Sequence, residues 1–228
     1  MKKNKIFIAC DTSNINLVKK IISQTKTNKL EIIPKFGLQF FYSKQGRRFL
    51  EKFNNNFFLD LKINDIKQTA LSAIDSLKDL KKCKYITVHA NGGLEMLKAV
   101  KKKAKKTNKN PKILGVTVLT SLNNKSLKEI GHTKTLDQLV LKQVGLIKKA
   151  GLHGIVLSAK EAKIVKELAI AQIPKNVAVR IEYLELVDPE NMQPVELIAG
   201  PVLAAGAAWV GTTRLIDNVI CNPIADTH

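Results

Sequence analysis

Cysteine is scarce: Cys10, Cys83 and Cys221 are the three cysteines in 228 residues, and no two stand at C-x-x-C spacing. That argues against a disulfide framework and a cysteine zinc site, and it fits a reducing, cytoplasmic setting. Long apolar runs are lacking too. The first, Ile6–Cys10, ends at Asp11, too soon for a secretory core. The longest, around Ile198–Val210, is interrupted by Gly and Pro and falls short of the ~20 residues a membrane span needs. A soluble protein with no membrane partner is therefore expected. Aromatic residues are only 5% of the chain, and arginine is sparse beside lysine. Base-edge readout and base stacking draw on Arg and aromatics, so the net charge of +19 is expected to be a solvated lysine surface with no specific nucleic-acid partner. The run Lys101–Lys106 is the one stretch suited to nonspecific phosphate contact.

What is present is a foldable chain of ordinary make-up, 45% hydrophobic and 25% charged, long enough for one sizeable core. Short β-branched and apolar runs recur at Ile6–Cys10, Ile32–Phe36, Phe57–Leu61, Tyr85–His89, Ile113–Leu119 and Gly154–Leu157. Stretches of helical period lie between them, as at Leu71, Ile74, Leu77 and Leu80. Strands alternating with helices imply a parallel sheet, and repeated right-handed β–α units close as an α/β, TIM-type (β/α)8 barrel. Val177–Ile181 and Ala207–Val210 are the runs available for strands seven and eight.

Charge divides the chain unevenly. Residues 1–176 carry a balance of +24 and residues 177–228 one of −5, with no lysine after Lys175. The expected organisation is a barrel over 1–165, a junction at 166–177 and an atypical tail over 178–228.

The chemistry concentrates in Phe57-Phe-Leu-Asp60-Leu-Lys62-Ile-Asn-Asp65-Ile-Lys-Gln-Thr69. Period two puts Asp60 and Lys62 on one strand face, the lumen of a barrel, with Leu61 and Ile63 facing the helices. Asp65 follows where the strand should end, at the mouth where such barrels place their sites. Lys35 on the preceding strand and Asp11 past the first strand bring a second ammonium and another acid. Buried charges persist only when mutually compensated, so a network of Asp11, Lys35, Asp60, Lys62 and Asp65 is expected.

The segment Asp60-Leu-Lys62-x-x-Asp65-Ile-x-x-Thr69 resembles the signature of the orotidine 5′-phosphate decarboxylase family. Ala9-Cys-Asp11, Lys35-Phe-Gly37, Thr87-Val-His89-Ala90 and Val116-Thr-Val-Leu-Thr120-Ser121 agree with it in order. Lys67 stands where the family has Gly or Pro. The resemblance implies a decarboxylase of a nucleotide monophosphate that needs neither metal nor cofactor. Lys62 would protonate C6, Asp60 would lie beside the substrate carboxylate, and Asp11 and Lys35 would hold ribose hydroxyls. It further implies that Thr120 and Ser121 contact the pyrimidine, and that Asp65 and Thr69 enter the neighbouring site of a homodimer. His89 ends an apolar strand with no second histidine at ligand spacing, so a hydrogen-bonded structural role is expected.

The family's phosphate-gripping Pro-Gly-Ile-Arg and Val-Gly-Arg-Pro stretches are missing. In their place, Arg180–Glu190 and Gly200–Asn218 resemble the C-terminal end of pantothenate synthetase, without the nucleotide-binding histidine motif of that ligase. Gly211 and Arg214 are the available stand-ins for the phosphate grip. Two other readings are a Mg²⁺-dependent sugar-phosphate decarboxylase or aldolase with the same Asp-x-Lys-x-x-Asp core, and a catalytically silent fusion barrel that binds nucleic acid weakly.

Overall fold

The computed structural model describes residues 5–27, 31–107, 110–157, 179–187, 202–210 and 213–221. The chain divides into two compact units, Met1–Thr117 with Gln143–Val156, and Val118–Lys142 with Leu157–His228.

In the first unit the chain runs β1 (Lys5–Ala9), α1 (Ile15–Gln24), β2 (Glu31–Gly37), α2 (Leu38–Phe41), α3 (Gly46–Lys52), β3 (Phe57–Ile63), α4 (Lys67–Ser76), β4 (Cys83–His89), α5 (Gly93–Lys105) and β5 (Lys112–Val116). After α6 (Asn124–Glu129) and α7 (Leu136–Ala150) it returns to this unit for β6 (Gly154–Val156). All six strands pair in parallel and in chain order. Helices between parallel neighbours make this an α/β, TIM-type sheet.

Local chemistry sets the boundaries. Asn14 caps α1 by accepting from the N–H groups of Asn16 and Leu17, and Asn123 with Ser126 forms a reciprocal capping box on α6. Lys67 is the first residue of α4, a position where Pro is favoured because its N–H has no partner in the helix. A lysine is accommodated there just as well.

Period two sorts the strand side chains. Phe36, Phe57, Leu59, Ile86, Val88 and Ile113 face outward into one buried core shared with Leu50, Ile74, Leu97, Val100 and Ile147 of the helices. Ile33, Phe58 and Tyr85 face inward and pack together with Leu114, and Phe7 meets the Phe58 and Tyr85 rings edge-on. These residues floor the lumen. One step further along the same face, two residues on from Ile33, Phe58 and Tyr85, stand Lys35, Asp60 and Thr87. The alternation that builds the floor therefore also delivers the polar groups to one level above it.

The tail differs from expectation. Val177–Ile181 and Ala207–Val210 do not extend the parallel sheet as strands seven and eight; β7 (Val179–Val187), β8 (Val202–Val210) and β9 (Thr213–Cys221) form an antiparallel sheet of their own. Two residues separate β8 from β9, enough for a hairpin and far too few for a parallel crossover, which commits Ala207–Val210 to a hairpin with β9; β7 pairs along the other edge of β8. Six barrel strands are present among the described residues. The expected junction at 166–177 lies outside them, as does Gly211, while Arg214 pairs opposite Trp209 in β8–β9.

Candidate active site

Four of the expected residues meet above the lumen floor. Lys62 Nζ lies 2.9 Å and Lys35 Nζ 3.2 Å from the same oxygen, Asp60 Oδ2. Lys35 Nζ also lies 3.5 Å from Asp11 Oδ2, and Asp11 Oδ1 accepts from the Gly37 N–H at 3.1 Å. The order is acid, ammonium, acid, ammonium. Gly37 is required by this close approach, since a Cβ there would sit 2.6 Å from Asp11 Oδ1.

Asp60 is buried and Lys35 nearly so, whereas the Lys62 side chain is 37% exposed and opens toward the mouth. An isolated charge in such a place would cost several kcal/mol, so the two inner groups depend on each other. Burial by itself would raise the Asp60 carboxyl. The hydrogen bond from Lys62, the charges of Lys35 and Lys62 and the hydroxyl of Thr87 outweigh it and hold Asp60 below the usual carboxylate range. It stays ionised, and Lys62 keeps its counter-charge.

Lys62 adopts φ 47°, a left-handed backbone that costs a non-glycine residue ~1–3 kcal/mol and clusters at functional sites. The strand accommodates it by a bulge. Between the pairs Leu59–Ile86 and Ile63–Val88, three residues of β3 stand against Thr87 alone on β4. Thr87 Oγ1 donates to Asp60 Oδ1 at 2.8 Å and accepts from the Lys62 N–H at 2.8 Å.

Asp65 does not join the cluster that its spacing suggested. It is exposed and accepts from its neighbour's backbone, the Ile66 N–H, at 2.7 Å. The bulge and the left-handed turn at Lys62 end the strand's alternation before position 65 is reached. Thr69 is exposed on the first turn of α4, and Thr120 and Ser121 occupy an exposed turn of the second unit.

His89 has the structural role expected of it: its Nδ1 accepts from the Asn91 N–H at 3.1 Å and caps a 3-10 turn, Ala90–Gly92. Burial, then the charge of Lys62, push its pKa down, so the ring is neutral. Thr87 was not singled out from the sequence as a site residue. The available signal was its place two residues past Tyr85, on the face that carries Asp60 in the neighbouring strand.

A parallel α/β sheet with alternating carboxylates and ammoniums at its C-terminal strand ends defines an acid–base enzyme of the TIM-type class. The model of the orotidine 5′-phosphate decarboxylase / HUMPS family matches residues 4–195, and the chain belongs to that family. It is 37% identical over 173 residues to the orotidine 5′-phosphate decarboxylase of Carboxydothermus hydrogenoformans, covering 72% of this chain and 70% of that one. The Wolbachia (Brugia malayi) decarboxylase is 38% identical over 162 residues, 70% of each chain. Among solved structures, orotidine 5′-phosphate decarboxylase of Lactobacillus acidophilus superposes with a TM-score of 0.60 at 27% identity, over 73% of this chain and 76% of that one.

Proposed function

We propose that the protein converts orotidine 5′-phosphate to uridine 5′-phosphate and CO2, the reaction named for its relatives. The observation that carries this is the Lys62 ammonium, 2.9 Å from an ionised, buried Asp60 that Lys35 also grips. Decarboxylation breaks the bond from C6 to the carboxylate carbon and leaves the electron pair on C6. That electron pair lies in the plane of the pyrimidine ring, orthogonal to its π system, so the ring cannot delocalise it. A preplaced N–H⁺ stabilises it and then transfers its proton, after which solvent reprotonates the amine. Asp60 faces the departing carboxylate and orients Lys62. Asp11 and Lys35 hold ribose hydroxyls, and Thr120 and Ser121 contact the pyrimidine.

Asp65 and Thr69 complete the neighbouring site of a cytoplasmic homodimer. Their exposure away from their own chain's cluster supports this. A Mg²⁺-dependent sugar-phosphate reaction is less well supported, because both Asp60 oxygens are already engaged, Oδ2 by two ammoniums and Oδ1 by Thr87. For the tail, a separate coding origin joined at 166–177 and akin to pantothenate synthetase rests on the loss of lysine and the change from parallel to antiparallel pairing. Sequencing the locus across that segment tests it, and one uninterrupted reading frame with family sequence throughout would dismiss it.

The deciding assay follows orotidine monophosphate consumption by the purified full chain in EDTA, beside Lys62→Ala. Turnover by the parent alone is expected. Turnover by neither would overturn the decarboxylase assignment, and turnover abolished by EDTA would favour the metal-dependent reaction.

A further inference from the structure

We propose that Thr87 is the positioning residue that aims the Lys62 ammonium, through a single hydroxyl that fixes both the lysine's backbone and its counter-ion. The proposal deepens the decarboxylase assignment and rests on it for its kinetic readout. Its basis is geometric. Thr87 is fully buried at the centre of the β3–β4 bulge, the one β4 residue facing Asp60, Leu61 and Lys62.

The bulge creates two needs. The Lys62 N–H lies where the ladder slips, and an unpaired N–H there carries a desolvation penalty. Thr87 Oγ1 accepts it at 2.8 Å. Asp60 must turn its carboxylate so that one oxygen meets both ammoniums, and Thr87 donates to the other oxygen at 2.8 Å, fixing that rotation. A hydroxyl has one proton to give and lone pairs to receive with, so both contacts are made at once. The two bonds also reinforce each other, because a hydroxyl that donates to a carboxylate becomes a better acceptor. Valine matches threonine in shape and can do neither.

Lys62 therefore reaches its ammonium position from a strained backbone held at one end by Thr87, with Asp60 holding the other. Loss of the hydroxyl should let φ at Lys62 relax and the carboxylate rotate, displacing the Lys62 ammonium, while Lys35 keeps its second partner, Asp11 Oδ2, 3.5 Å away. The signature is a fall in kcat with KM nearly unchanged.

The test compares the full-length parent, Thr87→Val and Thr87→Ser, by steady-state decarboxylation and by amide hydrogen exchange at Lys62. Valine should lower kcat on the order of 10- to 100-fold with KM within about twofold. Serine, which keeps the hydroxyl, should restore kcat to within about threefold. Exchange at the Lys62 amide should accelerate in the valine variant and remain slow in the serine variant. Parental kcat in Thr87→Val, or equal losses in the valine and serine variants, would overturn the proposal. If Thr87→Val does not fold, Thr87→Ala takes its place with the same expectations. If the parent itself lacks turnover, the decarboxylase assignment has failed, and Lys62 exchange alone decides on Thr87: unchanged protection in the valine variant rejects it.

Discussion

At the scale of residues, the site is a small electrostatic circuit in which Asp11, Lys35, Asp60 and Lys62 each face an opposite charge. Asp60 and Lys62 sit two apart on a strand, and Lys35 and Asp11 end neighbouring strands, so period two and the mouth of a parallel sheet place all four. Asp65 escaped the same reasoning because a left-handed lysine and a bulge intervene, and neither is written in hydrophobic periodicity. His89 offers a test at this scale. Burial and the nearby Lys62 charge hold its pKa below the ordinary 6.5. Above about 6.5 the ring is neutral in both folded and unfolded chains, and the contribution to stability is fully present. Below that, the unfolded chain takes up the proton first, so stability falls as pH falls. Thermal melts between pH 7.5 and 5.5 should show a declining midpoint for the parent and a flatter profile for His89→Asn. A flat parent profile would contradict the neutral, buried assignment.

At the scale of elements, all six parallel strands were legible because each is a short apolar run between helical stretches. Their ends differ from the expected ones by at most three residues, where side-chain pattern gives way to local capping. The β–α rhythm that predicts two more parallel strands is not kept in the tail, whose strands pair antiparallel. The two-residue link between β8 and β9 is a hairpin signal, and it takes Ala207–Val210 out of any parallel β–α repeat. What ties β2 and β3 to their helices is aromatic. Phe36 contacts the rings of Phe40, Phe49, Phe53 and Phe57 at centroid distances of 4.6–6.3 Å and is fully buried. Phe36→Ala should lower unfolding free energy by roughly 3–5 kcal/mol, because the surrounding rings can only partly collapse into the space. Denaturant titration measures this. A loss under about 1 kcal/mol would mean that the cluster does not join these strands to their helices.

At the scale of the whole molecule, two exposed residues carry the argument for assembly. Asp65 and Thr69 are exposed and lie outside their own chain's cluster, which is the basis for proposing that they complete a partner's site. The proposed isologous dimer has a quantitative consequence. Lys62→Ala and Asp65→Ala should each be inactive alone. Mixed and refolded together, they should regain about a quarter of parental activity, since half the dimers are mixed and each mixed dimer holds one intact site. No recovery, with a dimer present by sedimentation, would place Asp65 in its own chain's site or in none. The charge of +19 acts at this scale as well, through solubility and salt-sensitive contacts, and does not define the substrate.

The proposed chemistry depends on a positive, proton-bearing nitrogen at position 62. Lys62→Cys followed by alkylation with bromoethylamine tests it most directly, because alkylation rebuilds an ammonium on a side chain of nearly the same length. Cys10 and Cys83 are buried, with thiols pushed up to about 11 and about 12, so they compete poorly for the reagent. The alkylated parent controls for Cys221. The expected result is a loss of kcat of about 10³-fold or more in Lys62→Cys, with at least tenfold recovery after alkylation. Retention of kcat to within tenfold in the unalkylated variant would contradict the claim.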